Sequence, residues 1–353
     1  MPVRIPAYIE MTSTRGKEAV RMTDIALPML LGFAVFMAGM KLMELALHRW
    51  GGGKLTALLE KATATPLHGL LTGTAVTAAL QSSTAVTVMT IGFVNAGLMT
   101  FPRTLGIVLG TNIGTCLTTE LIGLNLNQWA IPLMAISLLG WLASVLLREA
   151  SPWHDPAAPE PGWFVSLRFG SLALFGFGLL LLGMTVMQSI APAVEQTRMF
   201  ALFLDRADES VLWGIAAGAA LTAAVHSSAA VIGMMMGLAA FGAMPVEIGI
   251  AAVLGANVGT CFTALLAATG GSPGGRFVAW SHLALNVGGC LLFAPIVDVL
   301  ALASGWISAS PAARIAHAQT IFNIVCSLLA LPLCYLPIWH RPARPRTDDR
   351  LAA

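Results

Sequence analysis

Residues 69–118 of this chain reappear, without a gap, at 214–263. Across that spacing of 145 residues, 22 of the 50 aligned positions are identical. Gly69, Gly73, Thr77, Ala78 and Ala79 fall on Gly214, Gly218, Thr222, Ala223 and Ala224, and Ser82-Ser83 fall on Ser227-Ser228. GTNIGTCLT at 110–118 falls on GANVGTCFT at 255–263. Upstream the match continues with a one-residue shift, Gly32-Phe33 and Gly39-Met40 corresponding to Gly176-Phe177 and Gly183-Met184. A repeat this long means that two halves of the chain build the same local structure, which removes most single-core folds from consideration.

The background in which the repeat sits is apolar. Of 353 residues 57% are hydrophobic and only 10% are charged, against roughly 25% charged in ordinary soluble domains. A multi-pass membrane protein follows, and most soluble enzymes and disordered scaffolds are excluded. A net charge of +2, with two tyrosines and no basic–aromatic interleaving, leaves no case for nucleic acid. Cys116, Cys261, Cys290, Cys326 and Cys334 are odd in number and lie in apolar stretches without a C-x-x-C pair. They read as packing residues rather than disulfides or zinc ligands.

Apolar stretches long enough to cross a bilayer run at 25–47, 105–124, 129–147, 164–190, 248–269, 277–303 and 315–339. Residues 66–98 and 211–244 are also apolar, but at 33 and 34 residues they are too short for two crossings, which need roughly 40 residues plus a turn. Each carries a polar break near its middle, QSST at 81–84 and HSSA at 226–229. Half-length legs around a polar tip point to re-entrant helical hairpins, whose tips are tolerated only inside protein or beside water. The connectors 49–65 and 191–210 carry charges that suit helices lying in the interface plane.

The expected layout is an all-α polytopic membrane protein of two inverted-topology repeats. It divides into an N-terminal segment 1–24, membrane repeat 1 at 25–147 with hairpin 66–98, and a Pro-rich linker 148–163. Membrane repeat 2 follows at 164–303 with hairpin 211–244, then an additional membrane helix within 304–339 and a basic tail 340–353. Three crossings in the first repeat invert the second, the arrangement of secondary transporters. Arg4, Arg15, Lys17 and Arg21 place the N-terminus in the cytoplasm by the positive-inside rule. Seven crossings then set the Arg-rich tail outside, against the same rule.

The paired motifs carry the chemistry. Serine caps helix N-termini, and such an end offers unpaired N–H groups and a positive dipole end to an anion. Two tips meeting from opposite sides surround one small oxyanion with the donors of Ser82, Ser83, Thr84, Ser227 and Ser228, joined by Gln81 and His226. Asn112, Thr115, Asn257 and Thr260 sit in glycine-weakened Gly-Thr stretches whose oxygens suit a hard cation. His282/Asn286 and Gln319/Asn323 are i,i+4 polar pairs that read as interhelical hydrogen bonds or as pathway lining. Lys41 and Glu120 read as snorkelling near helix ends, and Asp298 as an intramembrane carboxylate.

QSSTAVTVMTIGFVNAG followed by GTNIGTC, repeated as HSSAAVIGMMMGLAAFG followed by GANVGTC, resembles the sodium–phosphate cotransporter family, the type II group and its bacterial relatives. The resemblance covers roughly 25–335. It implies sodium-coupled transport of inorganic phosphate by alternating access, in a bacterial inner membrane, with Gln81, Ser82, Ser83 and Thr84 as the first substrate and sodium motif. His226, Ser227 and Ser228 occupy the second. Sodium, as coupling ion and not as a resident cofactor, is expected at Ser83, Thr84, Asn112, Thr115, Ser228, Asn257 and Thr260. The partners are phosphate, sodium and the lipid bilayer, and a homo-oligomer stays open. The second motif departs from the family pattern at His226 and Ala229, which bears on coupling ratio and substrate preference. Many bacterial relatives carry a helical C-terminal domain, and regulation through one is not expected for this chain. The alternatives are a transporter or exporter of another small oxyanion, or an intramembrane lipid-phosphate enzyme. No carboxylate lies at 77–90 or 222–235 to serve such an enzyme.

Overall fold

The computed structural model describes residues 22–61, 63–149, 160–269 and 272–337. Most of the expected N-terminal segment, the middle of the linker and the whole basic tail lie outside them. All regular structure among the described residues is helical. The first half contains α1 (Met22–Lys61), α2 (Pro66–Leu80), α3 (Ser83–Asn95), α4 (Phe101–Gly123) and α5 (Ala130–Glu149). The second contains α6 (Gly162–Ser189), α7 (Ala191–Glu195), α8 (Arg198–Glu209), α9 (Val211–Val225), α10 (Ser228–Ala240) and α11 (Val246–Ala268). It continues with α12 (Pro273–Phe293), α13 (Val297–Ile307) and α14 (Pro311–Ala330).

Seven helical stretches among the described residues are long and apolar enough to cross a membrane. They are Leu27–Lys61, Pro102–Gly123, Asn127–Glu149, Gly162–Glu195, Val246–Ala268, Pro273–Ile307 and Pro311–Tyr335. Large apolar side chains such as Leu27, Ile131, Leu139, Leu291 and Trp306 point outward. The interior is also apolar, with Phe36, Leu180, Met236, Leu254 and Phe322 packed from both halves. Apolar surface inside and out is the pattern of a chain solvated by lipid. This is a multi-pass membrane protein.

The connectors differ from expectation in the first half. Residues 49–61 are not a separate interfacial helix but the continuation of α1 through Gly51, Gly52 and Gly53. At 40 residues α1 is about 60 Å long, twice a bilayer's ~30 Å core. Its last turn is held by Arg103, whose guanidinium donates to the Glu60 and Thr63 carbonyls at 3.0 and 2.7 Å. A cation there satisfies carbonyls that a helix end leaves open. In the second half the connector does form short helices, α7 and α8.

α1 packs against α6, and glycines set the distance. A Cβ on Gly39 would stand 2.6 Å from the Gly176 oxygen, and one on Gly183 would stand 2.6 Å from the Gly32 oxygen. Gly32 contacts Gly183 and Gly39 contacts Gly176, so the two helices run antiparallel. Gly32 and Gly39 are also the repeat counterparts of Gly176 and Gly183. The contact is therefore reciprocal, as at a two-fold interface between identical chains.

The same device joins α2 to α4 and α9 to α11. A Cβ on Gly110 would lie 2.2 Å from the Leu70 oxygen, and one on Gly255 would lie 1.9 Å from the Ile215 oxygen. The glycines of both Gly-Thr stretches thus permit close backbone contact. They do not break their helices: α4 and α11 run uninterrupted through 110–115 and 255–260. That corrects the expectation that glycine frees carbonyls there.

Candidate functional site

α2 and α3 span 15 and 13 residues, α9 and α10 the same. At about 22 and 20 Å they are each shorter than a ~30 Å bilayer core. The break between partners is built alike in both pairs. Gln81 ends α2 with φ 54°, ψ 29°, and His226 ends α9 with φ 57°, ψ 24°. This left-handed corner costs a non-glycine residue roughly 1–2 kcal/mol. The next residue swings back to extended backbone, Ser82 at φ −148° and Ser227 at φ −147°. Each serine then caps the following helix, its Oγ accepting from the Ala85 or Ala230 N–H at 3.3 Å. The N–H groups of Ser83 and Thr84, and of Ser228 and Ala229, begin those helices and have no intrahelical acceptor.

Both tips open onto one cavity of about 450 Å³. Gln81, Ser82, Ser83 and Thr84 line it from the first tip, and His226, Ser227 and Ser228 from the second. Thr115 of α4 and Thr260 of α11 also line it, one from each half. Its volume lies within the ~300–1,000 Å³ of small-ligand clefts. Two helix N-termini pointing into one cavity, with hydroxyls around them, make a site that attracts an anion without a bound metal.

The two tips are not chemically equal. The Gln81 amide donates to the Ala78 carbonyl at 2.6 Å and its oxygen accepts from the Thr118 hydroxyl at 2.7 Å. His226 instead stacks on Phe262, ring centroids 6.0 Å apart. Ala229 puts a methyl group where the first tip has the Thr84 hydroxyl.

Asn112 and Asn257 do not line the cavity. Asn112 donates to the Asn286 oxygen at 3.0 Å, and its own oxygen meets His282 Nε2 at 3.0 Å. Asn257 accepts from Asn323 at 3.4 Å. With Asn286 reaching the Cys261 sulfur, Asn323 the Cys116 sulfur and Thr119 the Gln319 oxygen, these residues knit α4, α11, α12 and α14 together. The i,i+4 pairs are therefore interhelical hydrogen bonds, and Cys116 and Cys261 are members of the network rather than plain filler. His317 of α14 is paired with Glu120 at 2.9 Å. The Thr320 hydroxyl donates to the same carboxylate at 2.5 Å, so Glu120 is held by α14 rather than snorkelling.

A small side pocket of about 10 Å³ shares Ser83, Thr84, Val88, Thr260 and Thr263 with the cavity and is closed by Thr87, Ala264 and His282. That is about the room one water or one small cation needs. Two atoms of residues that line it, Thr87 Oγ1 and His282 Nδ1, are buried without a hydrogen-bond partner. Because Asn112 uses its amide on Asn286, it presents its oxygen to His282 Nε2, which must then carry the ring proton. Nδ1 is left as a bare acceptor. Five hydroxyl residues around so small a pocket are of the type that holds a hard cation.

Sequence reasoning passed over Thr118, Thr87, Thr263, Met37, Met40 and Glu44 as cavity residues. Thr118 and Thr263 were findable: they recur at the repeat spacing, one turn beyond Thr115 and Thr260. Lys41 lines the cavity from the interior of α1, far from either helix end.

The family model described as Na+/Pi-cotransporter matches the chain twice, over residues 35–189 and 179–331. The chain belongs to the Na+/Pi-cotransporter family. This is a family of transporters, not of enzymes. The chain is 32% identical to the uncharacterised protein YqeW of Bacillus subtilis, over 85% of this chain and 92% of that one. It is 25% identical to the "Putative inorganic phosphate export protein YjbB" of Escherichia coli, over 87% of this chain and 53% of that one. The chain thus spans about half the length of YjbB. A shorter match, 31% over 28% of the chain and 16% of the relative, is to the rat sodium-dependent phosphate transport protein 2A. No solved structure matches the chain.

Proposed function

We propose that this Na+/Pi-cotransporter family member carries inorganic phosphate across a bacterial inner membrane, coupled to sodium, by alternating access. The observation that carries the reading is the convergence of two repeat-related serine tips on one cavity. Charge arithmetic argues for a co-transported cation. Each helix N-terminus brings roughly half a positive charge, so the two tips together bring about one. A hydrogen phosphate dianion bound there keeps about one negative charge uncompensated, which is costly away from water. Sodium supplies that charge, and the hydroxyls of Ser83, Thr84, Thr115, Ser228 and Thr260, all on the cavity lining, are its ligands. Asn112 and Asn257 support those helices from behind.

The repeat spacing, the reciprocal glycine contacts of α1 and α6, and the half-length helices support two inverted repeats with re-entrant hairpins. The family's description and the names of YjbB and the rat protein support phosphate as the cargo. The N-terminus is assigned to the cytoplasm from its four cations.

The test is flux. Purified protein in liposomes is given labelled phosphate under sodium, potassium or proton gradients, with arsenate and sulfate as competitors. A sodium gradient alone should drive accumulation. Equal flux under all three gradients overturns sodium coupling, and equal competition by sulfate overturns phosphate as the cargo.

Net export is the second reading. It is favoured by the longer similarity to YjbB, 308 aligned residues against 104 for the rat protein. Efflux measured from phosphate-loaded cells, with and without the protein, distinguishes the two directions.

A further inference from the structure

The cavity wall carries one formally charged pair, Lys41 and Glu44, both on α1. Lys41 Nζ stands 3.0 Å from Glu44 Oε2, and the lysine side chain is 60% exposed. Both lie on the helical span Leu27–Lys61, in the C-terminal half of its apolar stretch 25–47. Their repeat counterparts on α6, one shift upstream of the main register, are the neutral Thr185 and Gln188. The pair therefore belongs to one half only, and the tips supply no basic side chain beyond His226.

A structural role accounts poorly for this placement. An exposed i,i+3 ion pair adds little to helix stability. An ionised residue in an apolar span is expensive and is placed where it faces water or a polar partner. Here the polar partner is the cavity that receives the two helix N-termini. A lysine ammonium is a compact charge on a flexible stem, with three donors that can move from one acceptor to another. Here one acceptor is the Glu44 carboxylate, and the cavity that Lys41 also lines is bounded by both serine tips.

We propose that Lys41 is a specificity-determining residue of the transport site, the mobile positive charge that recruits the oxyanion. Glu44 is its positioning residue, which holds the ammonium at the cavity wall until the anion arrives. The inference rests on the phosphate-transport reading and adds to it the charge that selects anions and the residue that restrains that charge.

The experiment uses the full chain in liposomes and reads phosphate KM and maximal rate separately. Lys41→Gln should raise KM by about tenfold or more, the usual worth of a hydrogen bond to a charged group, with the maximal rate little changed. Lys41→Arg should keep KM near wild type. Glu44→Gln, which releases the ammonium, should lower KM. Lys41→Cys should behave as Lys41→Gln until it is modified with an aminoethyl thiosulfonate, which restores a positive charge and a low KM. A neutral methyl reagent should not restore it. The chemical rescue is read on protein that has already folded, so a folding defect in one variant does not decide the result. Unchanged KM in Lys41→Gln, or equal effects of the charged and neutral reagents, overturns the assignment of Lys41 while leaving phosphate transport intact. Absence of phosphate flux in the wild type overturns both readings together.

Discussion

The Thr118 hydroxyl donates to the Gln81 side-chain oxygen at 2.7 Å, fastening the corner between α2 and α3 to α4. The repeat-related Thr263 does not fasten the other corner; it donates to the Thr260 carbonyl at 2.8 Å. Removing the two hydroxyls should therefore have different effects. Thr118→Val is expected to loosen the first tip, raising phosphate KM several-fold, in line with about 1 kcal/mol for one net hydrogen bond. Thr263→Val should shift the sodium dependence of flux instead. The check is a pair of titrations in liposomes, phosphate at fixed sodium and sodium at fixed phosphate. Identical shifts in both variants would contradict the separate roles.

Ser83 and Ser228 open α3 and α10 and line the cavity. Ser83→Ala or Ser228→Ala should each cut sodium-driven phosphate flux at least about tenfold, because a donor to a charged ligand is worth ~1.5–3 kcal/mol. Insertion and gel-filtration behaviour should stay normal, since the capping hydroxyls belong to Ser82 and Ser227. Full flux by either variant would remove that serine from the site.

Gly110 and Gly92 separate packing from propensity. A Cβ on Gly110 meets the Leu70 carbonyl at 2.2 Å, whereas one on Gly92 has nothing within 4 Å. Gly110→Ala should destabilise by about 1–3 kcal/mol or more through overpacking. Gly92→Ala should be neutral or stabilising by up to ~1 kcal/mol, because alanine is the better helix former. Thermal unfolding in detergent measures both, and a harmless Gly110→Ala would refute the close approach of α2 and α4.

Cys116 and Cys261 are 2% and 0% exposed and lie within the asparagine network. Polar thiol reagents should leave both unmodified in this conformation. Labelling that appears only with sodium and phosphate present would report that α4 or α11 has moved away from its neighbours. Rapid labelling without either ion would contradict the packing described above.

The polar tips were legible because hydroxyls, Gln81 and His226 interrupt an otherwise apolar run, and because they do so twice. The count and approximate position of the seven spans were legible for the same reason: little but spanning helices can use so much apolar sequence. What local sequence could not convey was the partner. Three consecutive glycines at 51–53 look like a break, yet α1 passes through them, steadied by the Thr56 hydroxyl on the Gly52 carbonyl and by Arg103 far along the chain. Glycine at 110 and 255 either frees a carbonyl or admits a neighbour, and only the carbonyls of Leu70 and Ile215 decide which. Likewise the spacing of His282 and Asn286 marks a polar face without saying that Asn112 answers it.

The reciprocal seam of α1 and α6 is what two identical subunits would make at a dimer axis, but here both sides belong to one polypeptide. In a dimer of identical chains any substitution is installed twice, so a lysine at one wall brings a second lysine at the other. A duplicated sequence joined end to end is free of that rule. It can keep the matched glycines on which the seam depends and still give a single cavity one lysine, one glutamate and one histidine.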